Sequence, residues 1–396
     1  MEDNVYVNNI VGSSTGSGRA EDSSAEKSSA ATGKAERGNT VNRGEEDSRA
    51  EDRLRNVTSL YPEELEKELM AEGYPKFRAK QLFQWIHARQ TEEPSQMTNL
   101  PKNLRERLTP FFPVVREVTC QTSKKDGTRK YLFAMQDGEM IESVWMPYEH
   151  GNSVCISSQA GCGMGCTFCA SAIGGFHRNL TAGEMAGQVY GILRDTGKRV
   201  DNIVVMGTGE PMQNYDQLIR FIRLISHEEG YGLSVRSITV STCGIVPRIR
   251  QFAGEGLPVT LALSLHAVTD EERRRTMPVA RTYGIEETLD ACSCYFEQTG
   301  RRVTVEYALI RDENDTERHA NALSALLRDR GFHVNLIPVN PVMERGMRPG
   351  TRNSQENFKK ILEKNHINVT IRRGMGSDID AACGQLRRKF AGSEKE

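Results

Sequence analysis

No apolar run in this 396-residue chain is long enough to cross a bilayer, and its first residues carry no signal-peptide pattern. Neither sign of charge dominates. The 52 Lys and Arg nearly balance 53 Asp and Glu, leaving a formal net charge of −1. No global field therefore advertises a nucleic-acid partner, and any such surface must be a local patch. The nine cysteines are odd in number and clustered in spacing, which does not read as a secreted disulfide framework. A reducing, cytoplasmic setting with no membrane contact is the expectation. Large apolar residues are scarce from residue 1 to about 57, a stretch rich in Ser, Gly, Glu and Arg. Such a segment buries too little surface to offset its ordering entropy. It is expected to be a disordered tail, an inert one rather than an RNA-contacting arm.

What is present divides the remainder. Residues 58–115 read as a small helical domain. Tyr61-Pro62-Glu63-Glu64 has the chemistry of a helix start, and Leu65, Leu69, Phe77, Leu82, Phe83 and Trp85 recur at helical steps. Lys76, Arg78, Lys80, Lys102, Arg105 and Arg107 decorate those faces. They suit either structured RNA or a solvated surface. Residues 116–396 form the second expected domain. Its entry is a set of β-hairpins, with turns at Lys124 to Gly127 and at Asp137-Gly138. From Asn152 onward, six short Val/Ile/Leu-rich strands alternate with helical segments, ending at Val334 to Pro338. That repetition argues for a parallel α/β sheet. Six units are too few for an eight-stranded barrel, so a partial, open (β/α)6 barrel is expected. Chemistry in such folds sits at the C-terminal strand ends, and every distinctive polar motif here falls at one.

The most specific stretch is Cys162-Gly163-Met164-Gly165-Cys166-Thr167-Phe168-Cys169. A structural zinc wants four ligands, and no fourth Cys or His lies at finger-like spacing. Three thiolates on one glycine-rich loop suit a [4Fe–4S] cube with one open iron. Buried structural thiols, or zinc with a remote fourth ligand, remain alternative readings of the spacing alone. The C-x3-C-x2-C pattern with an aromatic before the last Cys resembles the signature of radical S-adenosylmethionine (SAM) enzymes. Beside it, Gly207-Thr208-Gly209-Glu210-Pro211 can approach a ligand closely and accept from its ammonium. Ser241, Ser264 and Asn340 offer neutral hydrogen-bonding groups, and His266 reads as a pocket hydrogen bonder. Ser377 or Asp378 can cap a helix carrying Cys383 in Asp380-Ala381-Ala382-Cys383-Gly384-Gln385-Leu386, where a thiolate near a helix start is stabilised. Taken alone, Cys383 reads as a small buried core thiol rather than a nucleophile.

Together these motifs, with Cys155-Ile156-Ser157-Ser158-Gln159, Gly175-Phe176-His177-Arg178-Asn179-Leu180-Thr181, Ser264-Leu265-His266-Ala267 and Ile337-Pro338-Val339-Asn340-Pro341, carry a dense resemblance. From about Leu60 to Phe390 the chain is similar to the RlmN/Cfr family of radical SAM methyltransferases, which methylate an adenine of large-subunit ribosomal RNA. The resemblance implies a [4Fe–4S] cluster on Cys162, Cys166 and Cys169. It implies two SAM molecules per turnover, held by Gly209, Glu210, Ser241, Ser264, His266 and Asn340. Adenine C2 is electron-poor and cannot attack SAM directly, so Cys383 is implied as a methyl carrier. Glu142 is implied as the base that removes the ring proton, and Cys155 as the thiol that forms a disulfide with Cys383 to free the product. The helical domain is similar to the family's RNA-binding accessory domain.

The implied activity is C2 methylation of an adenosine in 23S rRNA, and by analogy in some tRNAs. An electron donor such as flavodoxin or ferredoxin is implied, and the chain is expected to act as a monomer. C8 methylation of the same base, the resistance branch of the family, shares every catalytic residue named. A zinc-bearing RNA-binding protein and a radical SAM enzyme acting on protein or a small molecule are the readings from other classes. The Cys383 motif argues against the last, since hydrogen abstraction alone needs no carrier. The basic runs Arg273 to Arg275, Arg372-Arg373 and Arg387 to Lys389 either hold phosphates or are solvated faces. Cys243, standing where the family more often has Ser, is read as structural, and Thr208 also departs from the family pattern.

Overall fold

A computed structural model describes residues 54–339, 347–376, 378 and 379. The fold begins a little earlier than the composition suggests. Leu54 and Val57, expected in the tail, are buried in the core, because an apolar pair four residues short of the first helix caps its packing. Residues 1–53 of that tail lie outside the described residues.

Three helices follow: α1 (Pro62–Ala71), α2 (Phe77–Phe83) and α3 (Lys102–Leu108). Pro62 opens α1, and the Glu64 carboxylate reaches back to accept from the Tyr61 amide at 2.8 Å. Much of the basic decoration is engaged within the chain. Arg107 pairs with Glu72 at 2.9 Å, Lys80 with Glu229, and Arg78 and Arg105 donate to the Asn99 and Ser95 carbonyls.

A ten-stranded sheet comes next. Strands β1 (Val115–Thr122), β2 (Arg129–Met135) and β3 (Met140–Tyr148) are antiparallel hairpins, as their Asp-Gly turns require. Strand β4 (Gly151–Ile156) is antiparallel to β3 and parallel to β7 (Asn202–Val205). Between β4 and β7, β5 (Gln159–Gly161) and β6 (Phe176–Asn179) make a separate hairpin. The parallel series continues with β8 (Ile238–Thr242), β9 (Thr260–Ser264), β10 (Thr304–Leu309), β11 (His333–Pro338) and β12 (Asn368–Ile371). All six expected parallel strands are present. A seventh, β12, joins at the edge; its run of Asn-Val-Thr-Ile has only two core residues and gives little periodic signal. The connecting helices are α4 (Ala182–Thr196), α5 (Tyr215–Ile225), α6 (Val246–Ala253), α7 (Asp270–Thr276), α8 (Ile285–Thr299), α9 (Glu317–Leu327) and α10 (Arg352–Lys364).

The sheet is open but curled. After β12, the Gly376 amide donates to Asp126 at 2.8 Å, and the Asp378 carboxylate accepts from Ser123 and from the Lys124 amide. These partners form the β1–β2 turn at the opposite edge. Ten flat strands would hold those edges about 40 Å apart, whereas the chain from Arg372 to Asp378 spans about 20 Å at most. The two edges must therefore approach one another, which makes the sheet a partial barrel.

Each strand alternates. Phe133, Trp145, Val154, Ile203, Val240, Leu261, Val305 and Leu336 belong to one hydrophobic core with the helices. Their neighbours point to the other face, among them Lys130, Glu142, Cys155, Thr239, Ser241, Ser264, Glu306 and Asn335. Helix α4 carries a glycine stripe at four-residue spacing, with Gly183 and Gly187 against the first domain and Gly191 against Phe133 of β2. A Cβ at Gly183 would lie 2.1 Å from Thr58 Oγ1, and one at Gly187 2.5 Å from a Val115 methyl. The Gly183 amide donates to Ser59 Oγ at 2.8 Å. Across the same junction, His87 is fully buried on a π-helical turn (Gln84–Ala88) and shares a 2.9 Å hydrogen bond with Tyr190.

Two outcomes follow from this junction. Gly187→Ala should destabilise the fold by about 1–3 kcal/mol through overpacking, read as a lowered midpoint in denaturant. Burial, helped by His227, depresses the His87 pKa to about 3. The unfolded chain then binds a proton that the folded chain refuses between pH 6.5 and about 3. Stability due to this group is complete above pH 6.5 and falls by about 1.4 kcal/mol per pH unit below it. His87→Gln should flatten that part of the stability–pH curve.

Candidate active site

The cysteines lie in the loop of the β5–β6 hairpin. The Cys162 amide donates to the Gly175 carbonyl at 2.8 Å, closing the loop. Gly161 has φ +72°, and a Cβ there would sit 2.0 Å from that same carbonyl oxygen, so only glycine permits the closure. The Cys169 amide donates to Cys166 O at 3.2 Å, and the Thr167 amide to Thr276 O, at the end of α7, at 2.9 Å. Phe168 meets the His266 ring edge-on, 4.8 Å between centroids. Two of these contacts fasten the loop to the rest of the domain, one at the end of α7 and one just beyond β9.

Burial pushes the Cys162 thiol up to about 11 and the Cys166 thiol up to about 12, and the neighbouring cysteines add to both. The three thiols are therefore close enough to feel one another. Among the described residues, no three His, Cys, Asp or Glu side chains converge on a point fit for one metal ion. The donor set fits a [4Fe–4S] cluster with Cys162, Cys166 and Cys169 as ligands.

Of the expected SAM groups, Gly209, Glu210 and His266 interact with the loop. Gly209 has φ +111°, and a Cβ there would lie 2.6 Å from Gln159, so the backbone passes flush against β5. Glu210 is buried. Its carboxylate accepts the Met212 amide at 3.0 Å and the Cys243 amide at 2.8 Å. Burial raises its pKa, while these amides oppose the shift. Side-chain hydrogen bonds from Cys243 and Thr242 also hold the carboxylate in place. Ser241 and Ser264 stand at the ends of β8 and β9 on the polar face, in register with Ala262 and Glu306. His266 adopts φ +58°. Its Nδ1 accepts the Ala308 amide at 3.0 Å, which leaves Nε2 as the donor. Burial and the Arg273 charge lower its pKa to about 3, so the ring is neutral at physiological pH. Asn340 and Cys383, and the helix expected around Cys383, lie outside the described residues. Asp378, a candidate helix cap, instead gives its carboxylate to the β1–β2 turn.

Glu142 and Cys155 come together. The register pairs Val144 with Cys155 and Lys130 with Val144, and Glu142 lies two residues along the same face. Glu142, which would pass for an outward strand residue, is 5 % exposed. It forms a buried ion pair with Lys130 at 3.3 Å. Burial raises the Cys155 thiol above its ordinary value; Arg372 and Lys130 oppose this, and Glu142 adds to it. Arg372 also offsets the burial of Glu306, whose carboxylate accepts from Asn335 at 3.2 Å.

Reading the sequence missed Lys130, Glu306 and Asn335. A lysine and a glutamate inside apolar strand runs were the available signal; their partners emerge only from register. The basic run at Arg273 divides. Arg274 and Arg275 face solvent, but Arg273 is fully buried.

Comparison with known proteins agrees with this geometry. Residues 156–323 match the radical SAM superfamily, and residues 55–114 match the ribosomal RNA large subunit methyltransferase N-terminal domain. A protein of Lachnoclostridium phytofermentans named "Probable dual-specificity RNA methyltransferase RlmN" is 54% identical over 336 residues, 84% of this chain and 94% of that protein. One of the same name from Lachnospira eligens is 50% identical over 339 residues, 85% of this chain and 97% of that protein. The crystal structure of a radical SAM methyltransferase from Sphaerobacter thermophilus superposes with a TM-score of 0.80 at 42% identity, covering 83% of this chain and 98% of that one.

The buried pair can be tested alone. Lys130→Met removes the 3.3 Å ion pair from the buried Glu142 carboxylate and should cost about 3–5 kcal/mol. Adding Glu142→Gln should restore part of that loss, a coupling readable from denaturant midpoints of the two single variants and the double variant.

Proposed function

The chain belongs to the RlmN family of radical SAM RNA methyltransferases, and from that premise we propose that it methylates C2 of an adenosine in 23S rRNA, and in tRNA, with Cys383 as methyl carrier. The observation that carries this reading is the shared polar face of Glu142 and Cys155 beside the cluster loop. A carrier-thiol route needs a base and a second thiol beyond what the cofactors provide, and a carboxylate and a thiol on one strand face support that reading. The [4Fe–4S] cluster and SAM supply, when bound, a methyl group and a hydrogen-abstracting radical.

The chain's own residues do the rest. The Cys383 thiolate receives the methyl group, which after loss of one hydrogen atom bonds through its carbon to C2 of the base. The adduct carries one electron more than the aromatic product; the cluster, when bound, would accept that electron, and the Glu142 carboxylate would take the ring proton from C2. The Cys155 thiolate then attacks Cys383 Sγ. The sulfur–sulfur bond forms as the sulfur–carbon bond breaks, and the electron pair passes to the carbon on the ring, which takes a proton to become the methyl group. Lys130 holds Glu142 in place as a charged acceptor. The electron donor is assigned to the flavodoxin or ferredoxin class and the working unit to a cytoplasmic monomer; no helix among the described residues is long and apolar enough to cross a membrane.

The test is anaerobic turnover with methyl-labelled SAM, reductant and a 23S rRNA fragment, with digested RNA read by mass spectrometry. Wild type should yield 2-methyladenosine and Cys383→Ala none. Glu142→Gln should lose about 100-fold or more in rate. Cys155→Ala should accumulate a covalent protein–RNA species, visible as a gel shift. In wild type that species should clear faster as pH rises, because the Cys155 thiol titrates above its ordinary range. Appearance of 8-methyladenosine would overturn the C2 assignment, and methylation by Cys383→Ala would overturn the carrier.

A further inference from the structure

Arg273 is among the largest side chains in the molecule with no exposure to solvent. It lies on α7, directly behind the cluster loop. Its Nη2 donates to Cys243 O at 2.6 Å and to Ser264 O at 3.3 Å, and its Nε to Leu265 O at 3.3 Å. Its Nη1 meets no acceptor among the described residues, and no carboxylate there forms an ion pair with it. A buried cation without a counter-anion is costly. Carbonyl dipoles offset part of that cost but supply no net charge.

The missing anion has a place to come from. The side chain of Cys243, whose carbonyl takes the short bond, packs with Met277 and Val279 against Met164, Cys166 and Phe168 of the cluster loop. The loop's Thr167 amide is bonded to Thr276, three residues along from Arg273. The thiol protons are lost on metal binding. An oxidised cube with three thiolates then carries a net charge of −1, and the reduced cube −2, against this guanidinium.

We propose that Arg273 is the fixed counter-cation of the iron–sulfur cluster, a positioning residue that favours its reduced, more negative state from behind the Cys166 side of the loop. The inference rests on the cluster assignment. It explains why one arginine of a three-arginine run is withdrawn from solvent while Arg274 and Arg275 stay outside. It also explains why the guanidinium faces backbone carbonyls rather than a carboxylate, since a carboxylate partner would cancel the charge the cluster feels.

The competing role is mechanical, since Arg273 also ties the ends of β8 and β9 together. Charge and geometry separate by substitution. Full-length wild type, Arg273→Lys and Arg273→Gln would be reconstituted anaerobically, assayed for iron and labile sulfide, and titrated with reductant against EPR without RNA. At the wild-type midpoint potential, the reduced-to-oxidised ratio in Arg273→Gln should fall at least about tenfold, equivalent to 59 mV for a one-electron couple. Arg273→Lys should stay near wild type. An unmoved Arg273→Gln midpoint overturns the proposal, and so does an equal fall in both variants, which makes geometry the cause. Failure of iron-free Arg273→Gln to fold also overturns it, because the contribution would then lie in the carbonyl contacts. A wild-type chain that takes up no cluster fails the cofactor assignment instead, and is told apart by its iron content.

Discussion

Two-residue alternation along the strands is the constraint on which everything else depends. One face of the ten-stranded sheet feeds a single hydrophobic core shared with the helices, which stabilises the sheet by burial. That leaves the opposite face free of packing duty, and polar side chains collect there. A slip of one residue in any strand would exchange the two sets. It would put Lys130 or Glu306 against helices and expose Val305 or Phe133. The fold and the site are therefore not separate achievements, because the register that buries the core also aligns Lys130, Cys155, Ser241, Ser264 and Glu306.

Buried charge on that polar face is held in small, compensated groups. Lys130 answers Glu142, Asn335 and Arg372 answer Glu306, and backbone amides answer Glu210. Groups of this kind are weak contributors to stability but strong constraints on geometry, since removing one member leaves another unpaired. Gln188 plays a neutral version of the same part. It accepts from Ser143 Oγ and the Ser157 amide and donates to the Ser157 carbonyl. This locks the stretch between Cys155 and the cluster loop to helix α4.

Much of this was legible in the residues. The three-cysteine loop, the strand–helix alternation and the Asp-Gly hairpins are local patterns, and local patterns survive without knowledge of partners. The seventh parallel strand was not legible, because an edge strand such as Asn368–Ile371 needs few apolar residues. Nor was Arg273, because a buried arginine inside Arg273 to Arg275 is spelled like a solvated helix face. The Lys130–Glu142 pair illustrates the general reason. Each residue is an oddity within its own strand, and only the register of β2 on β3 turns two oddities into one ion pair.

The C-terminal segment shows how an open sheet is made to enclose a site without closing a barrel. Strand β12 could have been a bare edge. Instead Arg372 donates its amide to Leu336, and its charge reaches toward Cys155 and Glu306. Six residues later Asp378 is bonded to Ser123 and Lys124 on the first hairpin. The strap joins the two edges by side-chain and turn contacts rather than by strand pairing. A paired barrel would seal the polar face by continuous backbone hydrogen bonds. A strap bonded at its end to one turn instead fixes where the chain re-enters that face. A radical SAM RNA methyltransferase gains from this a polar face held in one geometry without a backbone seam across it.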